Sequence, residues 1–314
     1  MKNSEQDLLQ FIHQTGYRIE ERMMENIEVH YQRSFNFSPQ FTMFFVSYTV
    51  KHAFSRHTMA PTSIKNCICF FFKNIFDDES TNRKTVSGTS HEKPVVRIFP
   101  STHTHTSYFK KGSHRKMVAI FISAAYLKSF LEKDAGQFQF LFQRDNTFLI
   151  EEIMTDDILQ TVNDIVKEKH PRELMSYYYK LKTMELLFHL FQSLSHRRQF
   201  VHYKLNKKDI ISIYNVRDQL ISSLQKPTPI SDLKQIAGMN ELKMRKLFTQ
   251  IFGMGIYDYF QHLRMKEAAK LMREKQLTVS EAGYQMGFEN LSHFSRVFKK
   301  HIGKLPKQYS MEFN

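Results

Sequence analysis

The sequence predicts an α+β protein in two parts. A β-rich, barrel-like N-terminal domain carries a helical dimerisation segment, and an all-α C-terminal domain is built from two helix-turn-helix units. Three observations lead there. Runs of strand length rich in Phe, Val, Ile and Tyr fill the first 123 residues. Beyond them, apolar residues recur three and four apart, the spacing of amphipathic helices. Near the C-terminus one pattern occurs twice, 50 residues apart.

At 314 residues the chain exceeds what one small core organises and suits two domains. With 41% hydrophobic and 24% charged residues, it is neither a disordered nor a fibrous composition. Residues 43–50, 64–73, 95–99 and 116–123 read as strands, separated by polar stretches such as Asp-Asp-Glu-Ser-Thr-Asn at 77–82. Cys67 and Cys69 alternate with Ile68, so on a strand both point to one face. They read as buried thiols of a reducing compartment, since Cys-x-Cys without further thiolates is a poor metal site. The N-terminal residues 1–7 are polar, with no secretory apolar core, and no run approaches the roughly 20 apolar residues of a membrane span. The expected location is the cytoplasm, with no membrane partner.

The pattern changes near residue 125. Residues 156–169 and 173–194 read as helices, the second with Leu174, Tyr177, Leu181, Met184, Phe188 and Phe191 in a 3-4-3-4-3 spacing. That spacing is the seam of a two-helix contact, and 173–194 is the expected homodimer segment. Leu186, Leu187, Leu190 and Leu194 widen the apolar face enough to pack on the chain's own domain as well. The basic stretch that follows is poorly patterned. The predicted organisation is a sensing and dimerisation domain at 1–195 (β-rich 1–123, helical 124–195), a linker at 196–208 and a helical domain at 209–314.

The net charge of +14 favours polyanionic partners, nucleic acid or an anionic surface, and by itself does not choose between them. Residues 206–314 hold 18 Lys and Arg against 10 Asp and Glu, a net +8, so the positive charge is densest there. The repeat lies in the same region. Its first copy reads Ile230, Leu233, Gly238, Asn240, Phe248 and Gly253; its second reads Val279, Ala282, Gly287, Asn290, Phe298 and Gly303. Each copy is a short helix, a Gly-centred turn and a second helix, at about 230–252 and 279–302. Asn240 and Asn290 suit the N-caps of the second helices.

In those helices Met244, Leu247, Phe248 and Ile251 form an inward stripe, as do Phe294, Val297, Phe298 and His301 less regularly. The opposite faces are polar and basic: Lys243, Arg245, Lys246, Thr249 and Gln250 in one, Ser292, Ser295, Arg296, Lys299 and Lys300 in the other. A major-groove helix needs that division, with apolar residues holding it and donors projecting outward. Between the copies, 256–273 reads as a helix with Tyr259, Phe260, Leu263, Ala268 and Leu271 inward. At about 27 Å it is long enough to carry two recognition helices along one face of a duplex.

Gly253, Tyr259 and the run Leu263 to Met272, together with Gly287-Phe288, the run Ser292 to Lys300, Gly303, Pro306 and Tyr309, resemble the AraC/XylS family of transcriptional regulators over about 209–314. The resemblance implies double-stranded DNA as partner, RNA polymerase as a second, and an effector or partner acting through the N-terminal domain; it carries the sense of an activator. Carried across, the base-reading positions are Leu242, Arg245, Lys246 and Thr249 in the first unit. In the second they are Leu291, Ser292, Ser295 and Arg296, with Lys299 and Lys300 beside them. Two positions depart from the family pattern. Lys234 stands where a small residue is usual at a helix crossing, whereas Gly283 is small at the matching place, and Ser310 replaces a common Arg.

No catalytic constellation emerges, and the chain reads as a non-enzyme without cofactor or metal. His103-x-His105 with His114 suggests a barrel metal site, but the acidic ligand expected a few residues on is absent. Phe44-Phe45 and 70–72 read as core before cavity lining. Two rival classes remain, an enzyme with a DNA-binding appendage and a nucleoid protein without sequence preference. Stoichiometric metal would mark the first, and competition by random DNA the second.

Overall fold

The computed structural model describes residues 25–58, 63–74, 94–103, 105–142, 148–167, 173–197 and 205–313; the side chains of 56–58 and 105–107 lie outside the description. The chain divides into two compact units, Met1–Lys204 and Leu205–Asn314.

In the first unit, β1 (Ile27–Ser38), β2 (Phe41–Val50), β4 (Cys67–Lys73), β5 (Val95–Pro100), β7 (His114–Ser123) and β8 (Ile150–Ile153) form an antiparallel sheet in the order β1-β2-β7-β4-β5-β8. β3 (Phe54–Thr58) pairs separately with β6 (His105–Phe109). The register lines up Phe35, Met43, Ile120, Phe70, Ile98 and Ile150 in one row across all six strands. This row faces α1 (Ala124–Leu131), α2 (Asp156–Val166) and α3 (Met175–Ser195), whose Leu127, Ile158, Val162, Ile165, Leu186, Leu187 and Leu190 complete one apolar core. A stretch of 3-10 helix, Glu132–Leu141, adds Phe138 and Leu141 to it.

The opposite face of the sheet is buried too. There Phe71 lies between Phe99, stacked at 5.2 Å, and Phe121, edge-on at 5.7 Å. Burial on both faces is why these strands read as unbroken apolar runs instead of alternating ones.

Two expectations are corrected here. The described strands make an open sheet with β1 and β8 at its edges, not a barrel, because helices supply on one face the cover that closure would otherwise give. The segment expected to be helical over 124–195 is interrupted by β8, which returns to the sheet beside β5 through Ile98↔Ile150 and an Arg97–Glu151 ion pair at 2.7 Å. Four residues are too few to show a period, so β8 was invisible in the sequence.

The second unit is helical throughout: α4 (Lys207–Ser222), α5 (Ile230–Ala237), α6 (Glu241–Phe252), α7 (Ile256–Glu274), α8 (Val279–Gln285), α9 (Leu291–Ile302) and α10 (Pro306–Ser310). Each starts and stops for local reasons. Asn206 accepts from the Asp209 N–H at 2.7 Å, Asn240 from the Lys243 N–H at 2.8 Å and Asn290 from the His293 N–H at 2.9 Å. Thr278 and Glu281 close a capping box on α8, and those hydrogen bonds hold the Glu281 carboxyl below its ordinary pKa. Gly238 ends α5 at φ +60°, which a side chain would strain.

Candidate nucleic-acid interface

α6 and α9 occupy equivalent places in the repeat. In α6, Met244, Leu247, Phe248 and Ile251 are buried, and Phe248 packs edge-on against Tyr259 of α7 at 5.3 Å. In α9, Phe294 and Phe298 are buried, Phe298 packing on Tyr309 of α10 at 5.6 Å, while Val297 and His301 are half-buried. The imidazole of His301 has its pKa lowered by burial and then by Lys300, with Asp258 opposing.

The proposed reading residues fall on the outer faces. Leu242, Arg245 and Lys246 of α6 are exposed and Thr249 half-buried. Arg245 Nε donates to Glu241 at 2.7 Å, one turn earlier, and the Thr249 hydroxyl donates to the Arg245 carbonyl at 2.9 Å. On α9, Ser292, Arg296, Lys299 and Lys300 are exposed, and Leu291 and Ser295 are half-buried. Leu291 lies against Gly283, where an added Cβ would stand 2.8 Å from its Cδ2. That crossing needs the small residue. The equivalent Lys234 of α5 points outward and is exposed, so the first unit accommodates the departure without burying a charge.

One polar residue is misplaced by the sequence reading. Gln250, expected on the outer face, is 2% exposed. It lies one turn beyond Leu247, and the flanking helices α4 and α7 both contact α6, widening its buried face past the simple stripe.

Other polar contacts were not anticipated. Lys243 Nζ donates to Asp209 of α4 at 2.8 Å, and Lys300 Nζ to Asp258 of α7 at 2.8 Å. Thus two lysines at the recognition helices already hold carboxylates. The buried Arg264 of α7 donates to the backbone carbonyls of Met286 and Gln225. No spacing rule announces such pairs, because their members lie on different helices.

The described histidines have separate polar and aromatic neighbours. His103 packs on Phe99 at 5.6 Å, its pKa lowered by burial and then by Arg97; His114 bonds Thr49 and Ser47 and lies 5.3 Å from the His30 ring. The His105 side chain lies outside the described residues, among which no group of three metal-ligating side chains occurs. Cys67 and Cys69 are buried and free, and burial, with Cys67 adjacent, pushes the Cys69 thiol up.

Tandem helix-turn-helix units in a compact unit of their own, following a sheet-and-helix unit in the sequence, are the build of a two-domain transcription regulator. Residues 29–205 match the regulatory protein PchR N-terminal domain family, and 233–312 match a helix-turn-helix domain family. The chain belongs to the AraC family of transcriptional regulators and carries a PchR-type N-terminal domain. It is 31% identical over 91 residues to the HTH-type transcriptional activator RhaR of Escherichia coli K12, covering 29% of this chain and 32% of RhaR. It is 25% identical over 91 residues to the HTH-type transcriptional regulator GlxA of Rhizobium meliloti, covering 29% and 28%. The chain thus spans about a third of the length of these curated relatives. Among solved structures, ToxT of Vibrio cholerae aligns over 88% of this chain and 99% of its own at 13% identity and a TM-score of 0.32.

Proposed function

We propose that this protein binds double-stranded DNA at specific promoter sequences, inserting α6 and α9 into successive major grooves. The observation that carries this reading is the matched pair of capped helices, each with a buried apolar stripe and an exposed polar, basic face. In it Arg245, Lys246 and Thr249, with Leu242, read the first motif. Arg296, Ser292 and Ser295, with Leu291, read the second, and Lys299 and Lys300 hold phosphates.

The N-terminal unit takes the regulatory role, responding to a small-molecule effector or partner. Two copies pair through the outer face of α3 and the residue before it, where Leu174, Tyr177, Leu181 and Phe188 are 77%, 60%, 53% and 61% exposed. Contiguous exposed apolar side chains of this size mark an interaction surface. Two residues expected in that seam turn to the domain's own core instead: Met184 is half-buried against it, and Phe191 packs on Phe70 and Phe138. In this reading the bound protein acts as an activator, the class named for its relative RhaR; RNA polymerase is its second partner, the cytoplasm its location, and it performs no catalysis. No helix among the described residues is long and apolar enough to cross a membrane.

Selection from a random-sequence duplex pool with the full chain tests the reading. It should return one site containing two short motifs; recovery of unrelated sequences at equal affinity would leave only non-specific binding.

A further inference from the structure

Arg264 stands in the middle of α7 and is 5% exposed, a position a guanidinium tolerates only with its donors satisfied. Its Nε donates to the Met286 carbonyl at 2.7 Å and a terminal nitrogen donates to the Gln225 carbonyl at 3.1 Å. The guanidinium lies 3.8 Å from the centroid of the Phe288 ring and 5.6 Å from that of Phe260. Gln225 belongs to the segment that enters the first helix-turn-helix unit, whereas Met286 and Phe288 belong to the turn of the second. These segments also meet directly. A Cβ on Gly287 would stand 2.4 Å from the Gln225 carbonyl oxygen, so only glycine admits that approach, at φ +74°.

A connector helix alone leaves bending freedom at both ends, here at Gly253 to Gly255 and at residues 275–278. The Gln225–Arg264–Met286 bridge closes a ring through both units and removes that freedom. We infer that Arg264 is a positioning residue which fixes α6 relative to α9 and so sets how many base pairs separate the two DNA motifs. This rests on the DNA-binding reading above. Each base pair inserted between the motifs shifts the second by about 3.4 Å and about a tenth of a turn. Clamped helices cannot follow both displacements, and released ones can. Lysine keeps the charge at 264 but lacks the planar fork that holds two carbonyls while stacking on a ring.

The test uses the full chain and the site it selects from random duplex, rebuilt with one base pair added or removed between the motifs. Wild type should lose about tenfold or more in affinity for either change, the scale of a wrong base pair. Arg264→Lys should lose about threefold or less, while single-base changes inside each motif cost it what they cost wild type. A merely structural role would instead lower affinity equally for every DNA, and that result overturns the inference. So does a wild type indifferent to spacing, or a folded Arg264→Lys protein with the wild-type spacing profile. If Arg264→Lys does not fold, Phe288→Leu, which removes the stacked ring, must flatten the profile, and an unchanged profile overturns the inference equally. If the pool yields no site, the DNA-binding reading falls and this inference with it; a site selected without regard to spacing sinks this inference alone.

Discussion

Arg296 and Lys300 lie one turn apart on the exposed face of α9, and they are assigned different tasks. Arg296 is exposed at the sixth of the twelve residues of α9, and in the proposed reading its guanidinium makes a bidentate contact to guanine. Arg296→Ala should cost about 1–3 kcal/mol on the selected site and relax preference at one base pair. Lys300 is tied to Asp258, an exposed pair worth about 1 kcal/mol at most, so a phosphate can take it over. Lys300→Ala should therefore weaken all sequences alike. Equal losses for both variants across a set of single-base site variants would refute the division.

Beside them, His301 makes the stability of the folded unit depend on pH. Its depressed pKa means the folded unit holds it neutral where the unfolded chain takes up a proton. The folded state then binds fewer protons, so stability present above the unfolded value of about 6.5 is lost as pH falls from there through the lower folded-state pKa. Thermal unfolding should show a drop in Tm between pH 7.5 and 5 that shrinks in His301→Gln. An identical drop in the variant would place the effect elsewhere.

At the scale of elements, α3 serves two surfaces at once. Tyr179, Thr183, Leu186, Leu187, Leu190, Phe191 and Leu194 bury one side of it in the first unit, while Leu174, Tyr177, Leu181 and Phe188 face solvent. Three heptads are too short to hold together alone, so the sheet beneath has to present the helix. Leu181→Asp would place an unpaired carboxylate in the paired seam at a cost of about 2 kcal/mol or more, and spares the buried side. In sedimentation at about 50 μM, a concentration chosen far above that of a strong dimer, wild type should be dimeric and the folded variant monomeric. A monomeric wild type, or a dimeric variant, ends the idea.

For the whole molecule, the division of charge matches the division of structure. Residues 206–314 carry +8 of the net +14 within the second compact unit. A fragment of residues 205–314 should bind the selected site alone. With six or more phosphates contacted, log affinity should fall against log salt with a slope of about −5 or steeper. A flat response from the folded fragment would show that the positive charge is not spent on the DNA backbone.

The amino-acid order by itself determined the second unit. Its information is local: an asparagine caps each recognition helix, glycines end the helices before the turns, and the buried stripe recurs every third or fourth residue within one contiguous segment. It also marked the four apolar strands found at β2, β4, β5 and β7. β1 escaped because His30, Gln32 and Arg33 interrupt its apolar residues on an edge strand with register shifts. Only the tertiary structure decided what depends on residues far apart in the chain. Sheet order is one such matter, since β8 pairs with β5 across more than fifty residues and leaves the sheet open. Which side of α3 is buried, and why Gln250 turns inward, depend on helices packed from elsewhere. The role of Arg264 is the clearest case. It sits in a periodic helix like its neighbours, and its meaning comes from carbonyls 39 residues before it and 22 after, brought within hydrogen-bonding distance only by the fold.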